Sequence, residues 1–389
     1  MANKTYAEAL LRDVYLPRII KLERENTVLS ARLIRTARDI RGAKVISPTM
    51  VQEEQGVGNR DRGGDLPTAS DAEFVYAEAT LKHAYGALTL YGQDRIMSEG
   101  NSNEAIASIL STKVESLGNS FATDINRQFW GDGTGKLCKV TQTNTGTTQT
   151  VDNVQYLRLG MLVNNNVGTP PTSVYIKKIE PLTNVITVSA SVTWTVDDLI
   201  YRIGNKDKEI SGILTMVQDT GTYLGVSRTD YPEWRSLLIN YQANKLDIKI
   251  LDELICRLIS ERDSIPSVLY TDEQTVRWIK YIYQQQGIPL DYMNIQLGYR
   301  AMSYVHPKGT IPIVIEPYCP KGYIYPLDER YITVRQPKPI HWMPGYDGNY
   351  WRVKEGYDYE VAHLRYYFEM FNINPKTCGL LYNYTTPIV

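Results

Sequence analysis

The string FWGDGTGKL, Phe129 to Leu137, is the most chemistry-like pattern in the chain. Glycines at 131, 133 and 135 ahead of Lys136 suggest a loop that wraps a phosphate. A P-loop, however, needs GxxxxGK followed by Ser or Thr, placed after a strand and opening a helix, so that backbone N–H groups face the phosphates. Here the spacing from Gly131 to Gly135 is one residue short, Leu137 follows the lysine, and the glycines come after a helical pattern. The helix end beside them carries carbonyls and partial negative charge, the wrong pole for a phosphate. The string reads as a helix stop and a turn into a strand.

Other catalytic patterns are missing. There is no GxSxG elbow and no HExxH helix. The acidic strings TDEQT and DERYIT lack the alternation of a calcium loop. Four cysteines (Cys138, Cys256, Cys319, Cys378) lie far apart without a CxxC pair and read as reduced, mostly packed thiols. The four histidines are equally scattered, and His363, among alternating aromatics, reads as a packed or interface side chain. Asp252–Glu253 and Glu261–Asp263 read as the solvated face of a helix. No catalytic, cofactor-binding or metal-ligating residue is expected, and no cofactor.

The elements around that string are clearer than any site. From Asn103 to Trp130, Ile106, Leu110, Val114, Leu117, Phe121, Ile125 and Phe129 step by three or four along one stripe. Asn101, Ser102 and Asn103 offer N-caps and Gly131 a stop, which predicts one helix of roughly 40 Å. Before it, AKVISPTMVQ and EFVYAEATLKHAYGALTLYG flank EEQGVGNRDRGGDLPTASDA. The flanks are β-capable, and the polar, Gly-rich middle has nothing to bury, so this is a hairpin-like unit whose tip is either disordered or laid across another molecule. The leading segment is basic, with ten Lys/Arg against five Asp/Glu in residues 1–44. TYAEALLRDVYL has helical spacing interrupted by Pro17, and Arg32, Arg35, Arg38 and Arg41 recur every third residue, sweeping around a helix.

After the glycine string the texture turns β. Short β-branched runs from Lys139 to Ile203, broken by Asn, Gly, Pro and Thr, predict a small antiparallel barrel or sandwich inserted into the main fold. Then DIKILDELICRLISERD reads as an amphipathic helix, and IPSVLYTDEQTVRWIKYIYQQQG as strand, acidic cap and helix. Long strands close the chain: TIPIVIEPY, GYIYPLDERYITV, NYWRVKEGYDYEVAHLRYYFEMFNI and CGLLYNY. The fold class expected is α+β.

At 389 residues the chain has room for two or three cores. Its 42 basic and 43 acidic side chains nearly cancel, which argues against a protein whose main work is to coat nucleic acid. No run reaches membrane-span length and no signal-peptide pattern opens the chain. Tyrosine outnumbers phenylalanine 29 to 5, a balance that suits partly wet protein interfaces or reflects a compositional habit of the source.

In NSFATDINRQFWGDGTG leaving the long helix, DLIYRIGNKDKEISGILTMV returning from the insertion, YPEWRSLLIN, YCPKGYIYPLDERYIT and HWMPGYDGNYWRV, the sequence resembles the major capsid proteins of tailed bacteriophages, the Hong Kong 97 type fold. The resemblance runs over about nine-tenths of the chain, in element order and diffuse pattern. It implies an N-terminal arm at 1–43, an extended loop at 44–91, and a spine helix with the start of a peripheral domain at 92–138. It further implies the inserted β domain at 139–203, a peripheral return at 204–250, an axial domain at 251–320, and terminal peripheral and axial strands at 321–389. The function it implies is assembly of pentamers and hexamers into an icosahedral virion shell around packaged DNA, touched at most non-specifically. A portal and decoration proteins are implied as partners. No long acidic helical segment precedes the arm, so a separate scaffolding protein is expected. Nothing matches a Lys–Asn cross-linking site, and no membrane partner is implied. The candidate inter-subunit contacts are Arg32, Arg35, Arg38 and Arg41 in the arm and Arg60, Asp61, Arg62 and Asp65 at the hairpin tip. Two readings compete: a tail or baseplate protein, and a carbohydrate-acting enzyme with a β accessory module, suggested by the Tyr and Trp content.

Overall fold

The computed structural model describes residues 28–42, 44–52, 56–68, 73–93, 103–167, 171–289, 291–296, 299–345 and 348–387. The expected helix at TYAEALLRDVYL and the caps Asn101 and Ser102 lie outside these. Among the described residues, four helices of eight or more residues frame the fold: α1 (Val28–Arg35), α2 (Asn103–Phe129), α3 (Ile248–Arg262) and α4 (Glu273–Gln285). The principal strands begin with β1 (Lys44–Gln52), β2 (Glu73–Thr80) and β3 (Lys82–Tyr91). Six follow close together: β4 (Lys136–Lys139), β5 (Asn144–Thr150), β6 (Leu162–Asn164), β7 (Val174–Glu180), β8 (Val185–Trp194) and β9 (Leu199–Arg202). Then come β10 (Leu237–Asn240), β11 (Val268–Thr271), β12 (Tyr292–Gln296), β13 (Tyr299–His306) and β14 (Gly309–Ile315). The last are β15 (Tyr323–Leu327), β16 (Ile332–Gln336), β17 (Tyr359–Asn372) and β18 (Gly379–Tyr382). The chain divides into two compact units, one of Met1–Asp39, Lys82–Thr215 and Gln336–Phe368, the other of Ile40–Leu81, Met216–Arg335 and Glu369–Val389.

In the first unit α2 is the organising element. Val114, Phe121, Ile125 and Phe129 of the expected stripe are buried, as are Ala122 and Trp130. Strand β3 pairs antiparallel with β17 from Tyr91↔Tyr359 to Lys82↔Phe368. Their inner face carries Leu88, Leu90, Leu364, Tyr366 and Phe368, all buried. Gly86 marks where the strand comes close to α2: a Cβ there would stand 3.0 Å from Leu117 Cδ1.

The insertion is a closed barrel. Its six strands run β4-β9-β6-β7-β8-β5. An antiparallel bridge at Val140↔Val151 joins the two end strands, flanked by Thr141 N–H donating to Thr150 O at 3.0 Å and Asp152 N–H to Lys139 O at 2.8 Å. Closure removes the exposed edges that a sheet this small would otherwise leave. Thirteen side chains fill the interior, among them Val163, Ile176, Ile186, Val188, Trp194 and Ile200. Burying one such aliphatic group contributes about 1.5–3 kcal/mol. The buried Gln149 amide donates to the carbonyls of Asn144, Gly146 and Val192, satisfying backbone where the β5–β8 register shifts.

In the second unit a seven-stranded mixed sheet runs β10-β18-β15-β11-β14-β13-β12. Leu251, Leu254, Ile255 and Leu258 of α3 and Trp278, Ile279 and Ile282 of α4 pack with this sheet's residues in one core cluster. Both helices start on an aspartate. Asp247 accepts from Ile248 N, and Asp272 accepts from Gln274 N and Thr275 N, pairing donors a helix start otherwise leaves free. Strands β1 and β2 form the hairpin, with Ile46 opposite Glu78 and Pro48 opposite Tyr76.

Three strand readings need correction. EFVYAEATLKHAYGALTLYG is two strands, because buried Leu81 ends β2 and the next residues pair with β17. GYIYPLDERYITV breaks at Asp328, whose carboxylate takes the Arg330 N–H and turns the chain. The stretch from Asn349 to Ile373 breaks at Lys354–Asp358, ahead of β17.

Candidate assembly surfaces

The glycine string ends α2 and opens β4. Trp130 and Gly131 N–H groups close onto Arg127 O and Gln128 O at 3.0 and 2.9 Å, and Asp132 accepts from Thr134 N at 3.0 Å. Gly133 and Gly135 take φ of 82° and 79°, which other residues adopt only under strain. Gly212 lies against this end so closely that a Cβ would stand 2.5–2.7 Å from the carbonyls of Gly131, Gln128 and Phe129. The string is therefore the stop of α2 and the turn into β4.

A buried charge group secures the same helix end. Arg127 donates through Nη1 to Glu209 at 2.9 Å and through Nη2 to Asp124 at 3.1 Å, with Glu209 also taking Asn205 Nδ2 at 2.9 Å. Arg202 reaches Asp124 at 3.1 Å and Gln128 donates to it at 2.9 Å. Burial alone would raise the Asp124 carboxyl, but Arg127 and Arg202 outweigh it and hold the group below the usual carboxylate range. Burial likewise works against the Arg127 charge, and Asp124 and Glu209 reverse it. Asp124 and Arg202 help line an open groove of about 1150 Å³ between α2 and β3.

The expected contact residues fall into two groups. Arg32 is half-buried on α1, Arg35 is exposed in its last turn, and Arg38 and Arg41 are exposed beyond it. The arginines therefore do not sweep around one helix. Thr36 caps Leu33 O through both its N–H and its hydroxyl, ending α1, and Arg38 falls in the two-residue strand Arg38–Asp39. At the hairpin tip Arg60, Asp61, Arg62 and Asp65 are all exposed. Gly64 N–H closes a turn onto Asp61 O at 3.0 Å, and Arg60 donates to Asn59 O at 3.0 Å.

Sequence reasoning missed two surfaces of exposed apolar and aromatic side chains. On the hairpin, Ala77 and Ala79 are buried while Ile46, Phe74 and Tyr76 on the opposite face are 59, 52 and 65% exposed. With Pro48 opposite Tyr76 they form one stripe that is exposed among the described residues. The period-two alternation of KVISP and FVYAEA was the available signal. A second surface is the outer face of β3 and β17, where Tyr91 faces Tyr359, Tyr85 faces Arg365 and His83 faces Tyr367. None of its ten outward positions holds a carboxylate. His341 beside it keeps a neutral ring: Nδ1 donates to Pro339 O and Nε2 accepts from Arg365 Nε, both at 2.8 Å. Burial first, and then Arg365 and Lys338, push its pKa down. Burial and Arg352 do the same for His363.

Among solved structures, the capsid asymmetric unit of cyanophage A-1(L) superposes with a TM-score of 0.56 and 13% identity, covering 92% of each chain. The capsid of a native GTA particle gives 0.49 at 9% identity over 91% of this chain and 90% of that one. The holo-SrpI encapsulin complex from Synechococcus elongatus PCC 7942 gives 0.46 at 10% identity over 92 and 88%. No protein-family model matches the chain, and no curated protein does. The first superposition, with the long helix, hairpin and mixed sheet, defines the chain as having the α+β Hong Kong 97 type fold of phage capsids.

Proposed function

We propose that this chain is the repeating subunit of a tailed bacteriophage's icosahedral shell, its major capsid protein, and a structural component of the virion rather than an enzyme. The observation that supports the reading is the superposition, over nine-tenths of both chains, on the cyanophage capsid subunit. A closed shell reuses heterologous contacts whose rotations close into pentamers and hexamers. Such contacts need surfaces that stand clear of the subunit's own cores, and the exposed hairpin supplies one.

Residues 44–80 hold three Lys/Arg and seven Asp/Glu, so the hairpin carries net charge −4 along with its aromatic stripe. That composition complements an aromatic, carboxylate-free sheet face on a neighbouring copy, where strand edges and ion pairs fix register. Arg60, Asp61, Arg62 and Asp65 at the tip, and Arg32, Arg35, Arg38 and Arg41 before it, are the proposed polar contacts between copies. Near-zero net charge suits a wall that encloses DNA without gripping it. A scaffolding protein, a portal and decoration proteins are the proposed partners of the assembly.

Electron micrographs of the expressed full chain should show closed particles. Rings or tubes would instead make it a tail or baseplate protein. Replacing residues 56–70 with a short Gly-Ser link should leave a folded monomer that forms no particles. Normal particles from that variant would remove the hairpin from the mechanism.

A further inference from the structure

Three of the four thiols are shut away. Cys138, Cys319 and Cys378 are buried, and burial, as the largest cause, pushes each upward, Cys378 to about 11. Cys256 is exposed on α3. It is not isolated. Asp252 and Cys256, four apart on one helix face, meet Tyr304 and His306, two apart on one strand face. The Tyr304 hydroxyl donates to Asp252, and Cys256 Sγ lies 3.8 Å from His306 Nε2. The backbone N–H of Lys308 donates to His306 Nδ1 at 3.2 Å. With Nδ1 an acceptor, the neutral ring carries its proton on Nε2, directed at the sulfur.

We propose that Cys256 is a thiol-modification site for low-molecular-weight disulfides, with His306 as its positioning residue. The Cys256 thiolate attacks one sulfur of the disulfide while the Nε2–H holds the nucleophile as a hydrogen-bond donor. A new S–S bond joins Cys256 to that half, the original S–S bond breaks, and the other half leaves as a thiolate. The proton Cys256 gave up is taken by the departing thiolate or its buffer. The small disulfide is the oxidant, and no other co-reactant is needed. The geometry is internal to one unit and holds whether or not the chain builds a shell.

The test treats the native full chain with dithiobis(nitrobenzoate) and follows released thiolate. One thiol per chain should react natively and all four cysteines after denaturation. Cys256→Ser should abolish the native reaction, and an unchanged reaction would overturn the site. His306→Ala should slow it by about tenfold, the worth of a hydrogen bond to a charged group. His306→Gln, whose amide nitrogen reaches the place of Nε2, should restore most of the rate, whereas His306→Asn should not. Equal rates for the parent and the Ala variant, or for Gln and Asn should Ala unfold and release all four thiols, would overturn the role of His306.

Discussion

Asp124 joins two arginines at the foot of the long helix, and its neighbours decide its charge. Removing one member of a buried ion pair leaves the others uncompensated, so Asp124→Asn should cost about 3 kcal/mol at neutral pH. The folded carboxyl titrates below its unfolded value near 4. Its contribution is therefore fully present above the unfolded value and lost as pH falls through the folded one. The stability gap between parent and variant, measured by urea unfolding, should be constant above about pH 5 and should shrink below about pH 4. A gap that widens in acid would contradict the assignment.

At the scale of elements, the end of α2 depends on three glycines for different reasons. Gly133 and Gly135 are required by backbone angle and Gly212 by space. Gly212→Ala should cost about 3 kcal/mol or more, since the new methyl would meet three carbonyl oxygens that have no room to retreat. Thermal unfolding of the purified variant checks this, and a shift under 2 °C would mean that the 210–215 segment rests less tightly on the helix. The surface pair Lys44–Glu78, by contrast, is exposed on both sides and adds little to hairpin stability.

For the whole molecule, the cores and the proposed assembly stripe are made of separate residues. Phe74 and Tyr76 point away from their unit's core, so replacing both with Ser should change monomer stability by about 0.5 kcal/mol or less. Particle yield should nonetheless collapse, because the stripe is where a neighbouring copy is expected. Sedimentation beside urea unfolding separates the effects. A strongly destabilised monomer would show that the stripe packs within its own subunit.

Periodicity alone determined much of this protein. The α2 stripe, the two aspartate-capped helices and the short strands of the insertion were all legible, because each rests on neighbours within one or two turns of chain. Tertiary structure alone decided the rest. The split at Leu81, the closure of the barrel through Val140 and Val151, the meeting of Arg127 with Glu209 and the pairing of Cys256 with His306 join residues remote in sequence. Spacing carries local geometry, whereas long-range partners are selected only when the competing ways of burying surface are settled by the fold as a whole.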